Sequence, residues 1–550
     1  MATDFLSPTA VGDLRRFADA AVKQLPIFRL PRTQALLHVL RTVQSLQVSN
    51  EFGAAVRGRV EGGYAGMRYS QDLLRWLVFK IFTWCPPGGK QTLTSPDDVK
   101  VALEAVTDFA VYSHLQDGIV SAEAGFFLCD IDSTKRIIRF SPNPSIEAQQ
   151  AERQLREEFQ RTKEVFELLQ EAEDLPPEAT RGLLRTVRFD ANSMTLSYRA
   201  TGRVLKAFAE GLELSEPQLP PTLSVGPYSL DDFWVVWKHL AAHCAALNFL
   251  LVLACKELEG EWTGHNSAAL VLPRDRIVGQ LRHHYSLRSP VALEVLRDLT
   301  YDIGVRWTDV MYQPLIPLTS RELVTIPVLV LGSNPERNLL AIIDSLPRKD
   351  HELKDVREDL MIREIAPLFD PERFVLIERL ELGPRAQREG EIDLLVLDKR
   401  SNEVLAISLK WFYGPDSMHE VRVHDDWFRE GLAKHATCLE YLRGHAEELA
   451  EKRSDLGHLS TSTLVLGILV SKTCVPSELL RDPEIPVVTQ EQFVRQVRGG
   501  VESLSGFYRQ LSDKPALPDN VEYRQTSREL EFGGWTVTIP RTEWQRFPIT

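Results

Sequence analysis

The sequence predicts an α/β C-terminal domain, of helix–strand–strand–strand–helix–strand order, behind a large and mostly α-helical (α+β) N-terminal region. Three observations carry this reading. Apolar residues recur at three and four through most of residues 11–118, the spacing of helices with one buried face. After residue 355 the chain reads helix, then three apolar runs of strand length, then helix and strand again. Between the two regimes lies PRKDHELKD (347–355), polar and broken by proline, where the domain boundary is placed.

In chain order, GDLRRFADAAVKQL, TQALLHVLRTVQSL and SQDLLRWLVFKIFTW are helices, with Ser70 as the expected N-cap of the third. GFFLCDIDSTKRIIRF (125–140) is a hairpin turning at 133–135, and TVRFDANSMTLSYRA (186–200) is a second one. Between them EAQQAERQLREEFQRTKEVFELLQEAE (147–173) is a charged helix, a solvated arm or short coiled coil suited to assembly. Residues 229–258 open with a serine cap and first-turn acids and form a long core helix. Residues 275–303 continue helical, VMYQPLIPL and IPVLVLGSN read as strands, and 335–346 is a helix. KDVREDLMIREIAPLF is the helix that begins the C-terminal domain. RFVLIERLEL, EIDLLVLD and EVLAISLKWF are its strands. A helix from Asp425, the strand STLVLGILVS, PVVT and the short helix EQFVRQV complete it. ELEFGGWTVTIP near the end is a hairpin on a Gly-Gly turn. The divisions are a helical domain 1–120, an α+β middle region 121–346, the α/β domain 350–498 and a tail 499–550 with its hairpin.

A chain of 550 residues with 43% apolar and 26% charged residues has the make-up of a globular protein. Its net charge of −13 argues against coating nucleic acid or an anionic membrane non-specifically. Six cysteines with no CxxC pair exclude a zinc ribbon and fit a reducing, cytoplasmic setting. The N-terminus lacks a charged-then-apolar leader pattern, and NFLLVLAC, within 247–255, is too short to cross a bilayer, so no membrane role is expected. His239 and His243, four apart on one helix, have zinc spacing but no third ligand, and helix packing accounts for them. CPPGGKQT shares only its GK with a phosphate loop, and neither GxSxG nor GxGxxG occurs.

The chemistry concentrates in GEIDLLVLDKRSNEVLAISLKWF (390–412). Strand side chains alternate faces, so Glu391 and Asp393 share one face of their strand, and Ser408 and Lys410 share one face of the next. The link KRSNE is short, so the strands are an antiparallel pair, with Asp393 expected opposite Lys410. Paired carboxylates suit a hard divalent cation, and a nearby lysine can orient or deprotonate water, which together serve phosphodiester hydrolysis. The "GEIDLLVLD … ISLK" pairing inside this element order resembles the PD-(D/E)xK, or restriction-endonuclease-like, nuclease superfamily over residues 350–498.

That resemblance implies a restriction-endonuclease-like fold and a Mg²⁺- or Mn²⁺-dependent endonuclease acting on DNA. It implies Asp393 as central metal ligand, Lys410 as catalytic lysine, and the carbonyl of Leu409 as a further ligand. A glutamate from the first helix completes such sites; Glu358 fits best and Glu364 is the alternative. The family expects an acid where Ser408 stands, so Glu391 is assigned as the replacement carboxylate, with a degenerate, non-cleaving nuclease fold as the competing reading. Residues 351–500 hold 20 Lys and Arg against 28 Asp and Glu, so substrate grip is expected from elsewhere. The basic stretch around Arg274, Arg276, Arg282, His284 and Arg288 is the candidate, with Trp411 beside the site as a stacking residue. A large extra region suggests sensing or regulation of the nuclease. Prokaryotic defence against foreign DNA and self-association or a partner protein are expected on the same ground.

Overall fold

The computed structural model describes residues 8–56, 61–144, 177–190, 193, 195–212, 219–257, 265–304, 309–345, 351–383, 390–412, 415, 418–457, 459–473, 476, 485–512 and 523–544. The charged segment 147–173 lies outside them.

Four helices open the chain: α1 (Pro8–Lys23), α2 (Arg32–Val56), α3 (Glu61–Trp84) and α4 (Pro96–Glu123). Helix α3 begins at Glu61, so Ser70 lies inside it and not at the N-cap position. A capping box does form at α4. There the Ser95 hydroxyl accepts from the Asp98 amide, and the Asp98 carboxylate accepts from the Ser95 amide at 2.9 Å, with Pro96 in the first turn. Leu36, Leu40, Leu77, Ile81, Phe109 and Tyr112 close the core between these helices. Strands β1 (Phe127–Asp132) and β2 (Ile137–Pro142) form the first antiparallel hairpin.

Helix α5 (Pro177–Leu184), the hairpin β3 (Arg188–Asp190) and β4 (Thr195–Ser197), helix α6 (Gly202–Gly211) and the pair β5 (Ser224–Val225) and β6 (Tyr228–Ser229) lead to α7 (Leu230–Glu257). By length and composition Leu230–Cys255 could cross a membrane; here Trp237, Leu240, Cys244, Leu250 and Leu251 of this helix are buried in the protein. His239 and His243 are buried on it, ring against ring at 4.8 Å. Burial pushes their pKa values down to about 4 and about 3.

Both histidines are therefore neutral in the fold at pH 7 but take up protons below about pH 6.5 once the chain unfolds. The unfolded state then binds more protons, so stability present above pH 6.5 is lost as pH falls toward 4. The expected slope is up to about 1.4 kcal/mol per pH unit for each histidine. Urea unfolding across that range checks it, and His239→Gln is expected to flatten the slope.

Strand β7 (Leu270–Pro273) leads into α8 (Arg274–Tyr285) and α9 (Ser289–Asp298). Strands β8 (Ile316–Pro317) and β9 (Glu322–Thr325) join β7 in the order β7-β9-β8. Here the expected strands are corrected. VMYQPLIPL contributes only Ile316–Pro317, and IPVLVL is a short buried helix, α10 (Pro327–Leu331), while the strand lies just upstream. An apolar run of this length has no period to separate strand from helix. Pro327 in the first turn, where no backbone N–H is missed, decides for helix. Helix α11 (Pro335–Ser345) closes the region.

The C-terminal unit runs α12 (His351–Ile365), β10 (Phe374–Leu382), β11 (Gly390–Asp398), β12 (Glu403–Lys410), α13 (Met418–Gly444), α14 (Ala446–Lys452), β13 (Leu464–Ser471), β14 (Val487–Thr489) and α15 (Gln490–Arg498). Its five strands stand in that order, β10 to β12 antiparallel and β12 to β14 parallel. Both faces are covered. Leu395, Ala406 and Leu469 pack under Phe428, Leu432 and Leu439 of α13. On the other face Leu394, Ile407, Leu409 and Ile468 meet Ile362 and Phe493, in a core continuous with Trp237 and Leu240 of α7. Gly467 is needed for this packing, since a Cβ there would sit 2.2 Å from the Leu439 side chain.

Helix α16 (Leu504–Ser512) leads to β15 (Tyr523–Phe532) and β16 (Trp535–Trp544), joined through Gly533 and Gly534 at φ 57° and 76°, the mirror-image turn such hairpins favour. This hairpin returns to the start of the chain. Strand β16 pairs in parallel with β2, Val537 beside Ile138, completing the sheet β1-β2-β16-β15.

A half-buried ionic network fastens the two halves. Arg337 of α11 lies 2.7 Å from Glu420 in the first turn of α13, and Arg75 of α3 lies 2.5 Å from Asp309 and 3.9 Å from Glu420. The Tyr312 hydroxyl donates to Glu420, and Arg337 lies over the Tyr312 ring. Burial works against the charge of Glu420, but Arg337 and Arg75 outweigh it and hold the carboxyl below its ordinary range.

Candidate active site

The site forms where β11 begins and β12 ends. Hydrogen-bonded pairing of these strands runs from Leu397–Val404 to Leu394–Ile407 and stops there. Stepping that register on sets Asp393 opposite Ser408 and Glu391 opposite Lys410, which corrects the expectation that Asp393 faces Lys410. Beyond the last pair the Leu409 amide has no ladder partner, and Asp393 supplies one. Its Oδ2 accepts from the Leu409 N–H at 2.6 Å and from the Ser408 hydroxyl at 3.3 Å. Ser408 thus supports Asp393, and both are buried.

Lys410 turns back along its strand. Its Nζ donates to the Leu409 carbonyl at 2.9 Å and lies 3.7 Å from Glu358 Oε1. Its methylenes rest on Gly431 of α13, where a Cβ would meet Lys410 Cε at 3.4 Å. Of the two glutamates weighed on α12, Glu358 is the one beside the lysine. Glu364 pairs instead with Lys472, at 3.2 Å, and accepts from Gln490. Residues 358 and 364 are six apart, well over one helical turn, so they leave the helix on different sides.

Arg379, on β10, is a residue the sequence reading passed over. It sits at φ 50°, in the left-handed region a side chain seldom adopts, across the sheet from Asp393. Its guanidinium donates to Asp359 at 2.8 and 2.9 Å, to Glu391 at 3.1 Å and to the Asp355 carbonyl at 2.9 Å, and lies 4.0 Å from Glu358. Burial opposes its charge, but Asp359 and Glu391 outweigh that and raise its pKa. The available signal was a lone arginine inside the apolar run RFVLIERLEL, one strand away from GEID.

Behind Lys410, His435 of α13 is buried. That burial, partly offset by a contact with the Ala406 backbone, pushes its pKa down to about 4, so it adds no positive charge at pH 7. Cys438 approaches the Glu391 carbonyl at 3.7 Å, and burial raises its thiol pKa.

The donors Asp393, Glu358, Glu391 and the Leu409 carbonyl are all oxygen, the chemistry a Mg²⁺ or Mn²⁺ ion requires. Among the described residues no three His, Cys, Asp or Glu side chains stand close enough to hold an ion as placed. Glu391 is turned to Arg379, and Glu358 is shared between Arg379 and Lys410.

The other candidates lie apart. Arg274, Arg276, Arg282 and His284 are on α8, with Arg288 just past its end, and no described contact joins them to Asp393 or Lys410. His284 packs on the start of α6, where a Cβ at Gly202 would meet its ring. Trp411 is corrected from a stacking surface to core. It follows the face of Leu409 and Ile407, is 6% exposed, and lies under Lys472 at 4.7 Å. No family model matches the chain, and no curated protein and no solved structure matches it.

Proposed function

We propose that residues 351–498 form a restriction-endonuclease-like nuclease that hydrolyses phosphodiester bonds of DNA with Mg²⁺ or Mn²⁺. The observation that carries the reading is the junction at the end of β12, where Asp393 accepts from the Leu409 N–H at 2.6 Å, and Lys410 donates to the Leu409 carbonyl at 2.9 Å and lies 3.7 Å from Glu358. Asp393, Glu358 and Glu391 would hold the ion with the Leu409 carbonyl, and bound there it would supply Lewis acidity and a more acidic water. Lys410 orients the attacking water from a position fixed by Glu358 on one side and Gly431 on the other. Asp393 keeps its orientation through the Leu409 amide. The N-terminal region, fastened to α13 through Glu420, acts as the regulatory or sensing part.

Incubation with plasmid, linear duplex, single-stranded DNA and RNA in Mn²⁺, beside Lys410→Ala, tests this. Lysine-dependent cleavage of DNA is the expected result, and equal products from parent and variant would overturn it. A second reading, a degenerate nuclease fold serving as a nucleic-acid-binding or scaffold subunit, is favoured by Ser408 in place of the acid and by Arg379 among the remaining carboxylates. Arg379→Gln separates the two. For a metal site, removing the competing cation should tighten Mn²⁺ binding several-fold by titration calorimetry, whereas a parent and variant that both bind no Mn²⁺ favour the degenerate reading.

A further inference from the structure

We propose that Phe412, His424 and Trp427 form a stacking platform for an unpaired base of a nucleic-acid strand, set beside Lys410. This rests on the nuclease reading and names the kind of substrate it would take, a strand with single-stranded character at the cut.

The three ring centroids lie 5.3 to 5.6 Å from one another with planes within 22 to 30° of parallel. Phe428, fully buried, meets Phe412 edge-on at 4.9 Å and props the group from the core side. The outermost ring is Trp427, 41% exposed, a costly place for a tryptophan with no partner. His424 is neutral at pH 7, since burial pushes its pKa down to about 4 against the pull of Glu420. It therefore offers a ring face and not a charge.

Position links the platform to the chemistry. Phe412 is two residues beyond Lys410, where β12 ends. His424, Trp427 and Gly431 stand at i, i+3 and i+7 of α13, one stripe of that helix. Gly431 is the residue on which the Lys410 side chain rests. Trp427 is thus one turn, about 6 Å along the helix axis, from the lysine's support. A strand with a phosphate at Lys410 brings a neighbouring base to this ring. Aromatic faces accept any base by stacking, but only one whose own face is uncovered, which a paired duplex does not offer.

The test is binding by the full chain in EDTA, where no cleavage occurs, to a fluorescein-labelled single-stranded oligothymidine and to a hairpin duplex of equal length. Trp427→Ala should weaken single-strand binding about tenfold or more, with duplex binding within twofold of the parent. Trp427→Phe should restore most of the loss. If Trp427→Ala lowers the melting temperature, Trp427→Leu, which keeps an apolar contact without a ring, takes its place. Equal single-strand affinity for parent and variant, equal loss on both probes, or no single-strand binding by the parent overturns the proposal. Trp427-dependent binding in a protein that cuts nothing in Mn²⁺ would sustain the platform and overturn the nuclease reading alone.

Discussion

Asp393→Asn is expected to abolish cleavage while leaving the fold intact. The amide oxygen can still accept from the Leu409 N–H that Asp393 now holds at 2.6 Å, so the strand end keeps its hydrogen bond. What disappears is the negative charge that, on the proposed nuclease reading, would make Asp393 the central ligand of a divalent cation. The loss should reach three orders of magnitude, about 4 kcal/mol at 1.36 kcal/mol per tenfold. Initial rates at saturating Mn²⁺ measure it, beside a melting curve that should superimpose on the parent's. A variant within a few-fold of the parent would remove Asp393 from the mechanism.

Glu420→Ala is expected to be the most destabilising single change outside the apolar core. It leaves Arg337, 2.7 Å away, and Arg75, both half-buried, without their shared carboxylate, and takes the acceptor from Tyr312. Breaking a fully buried pair on one side costs about 3–5 kcal/mol and a half-buried one less, to be read as a lowered urea midpoint at pH 7. The double variant Glu420→Leu/Arg337→Met should lose less than the two singles together, since no lone charge remains between them. The pH sign follows from the depressed carboxyl of Glu420. Its contribution is complete above the ordinary glutamate range and is lost as pH falls below it. Glu420→Gln should flatten that acid limb. A midpoint unchanged by Glu420→Ala would mean that the two halves are held by apolar contact alone.

Much of this was legible from the sequence, because period and punctuation are local. The Gly-Gly turn, the long helix from Leu230 and the strands ending at Asp398 and Lys410 all follow from spacing. The same alternation put Asp393, Ser408 and Lys410 on one face. What it could not supply was register, because pairing depends on where a ladder stops, and here it stops at Leu394–Ile407. It also could not find Arg379, whose left-handed backbone and four acidic neighbours come from three separate elements. Trp411 misled for a related reason: an aromatic beside a lysine looks the same in sequence whether it continues the buried face or leaves it. Trp427, which does leave it, lies sixteen residues further on.

The sheet that β2 shares with β16 has a consequence for biosynthesis. The β2 edge, with Ile138 1% exposed in the finished protein, leaves the ribosome long before Val537 exists to cover it. At roughly 5–20 residues per second, the stretch from Pro142 to Trp535 keeps that edge bare for tens of seconds. A bare edge beside apolar residues is a template for pairing with other nascent chains. Strand β16 is therefore the one that ends the exposure, so slow translation of the β15–β16 hairpin, or its loss, should cost yield through aggregation before it costs anything at Lys410.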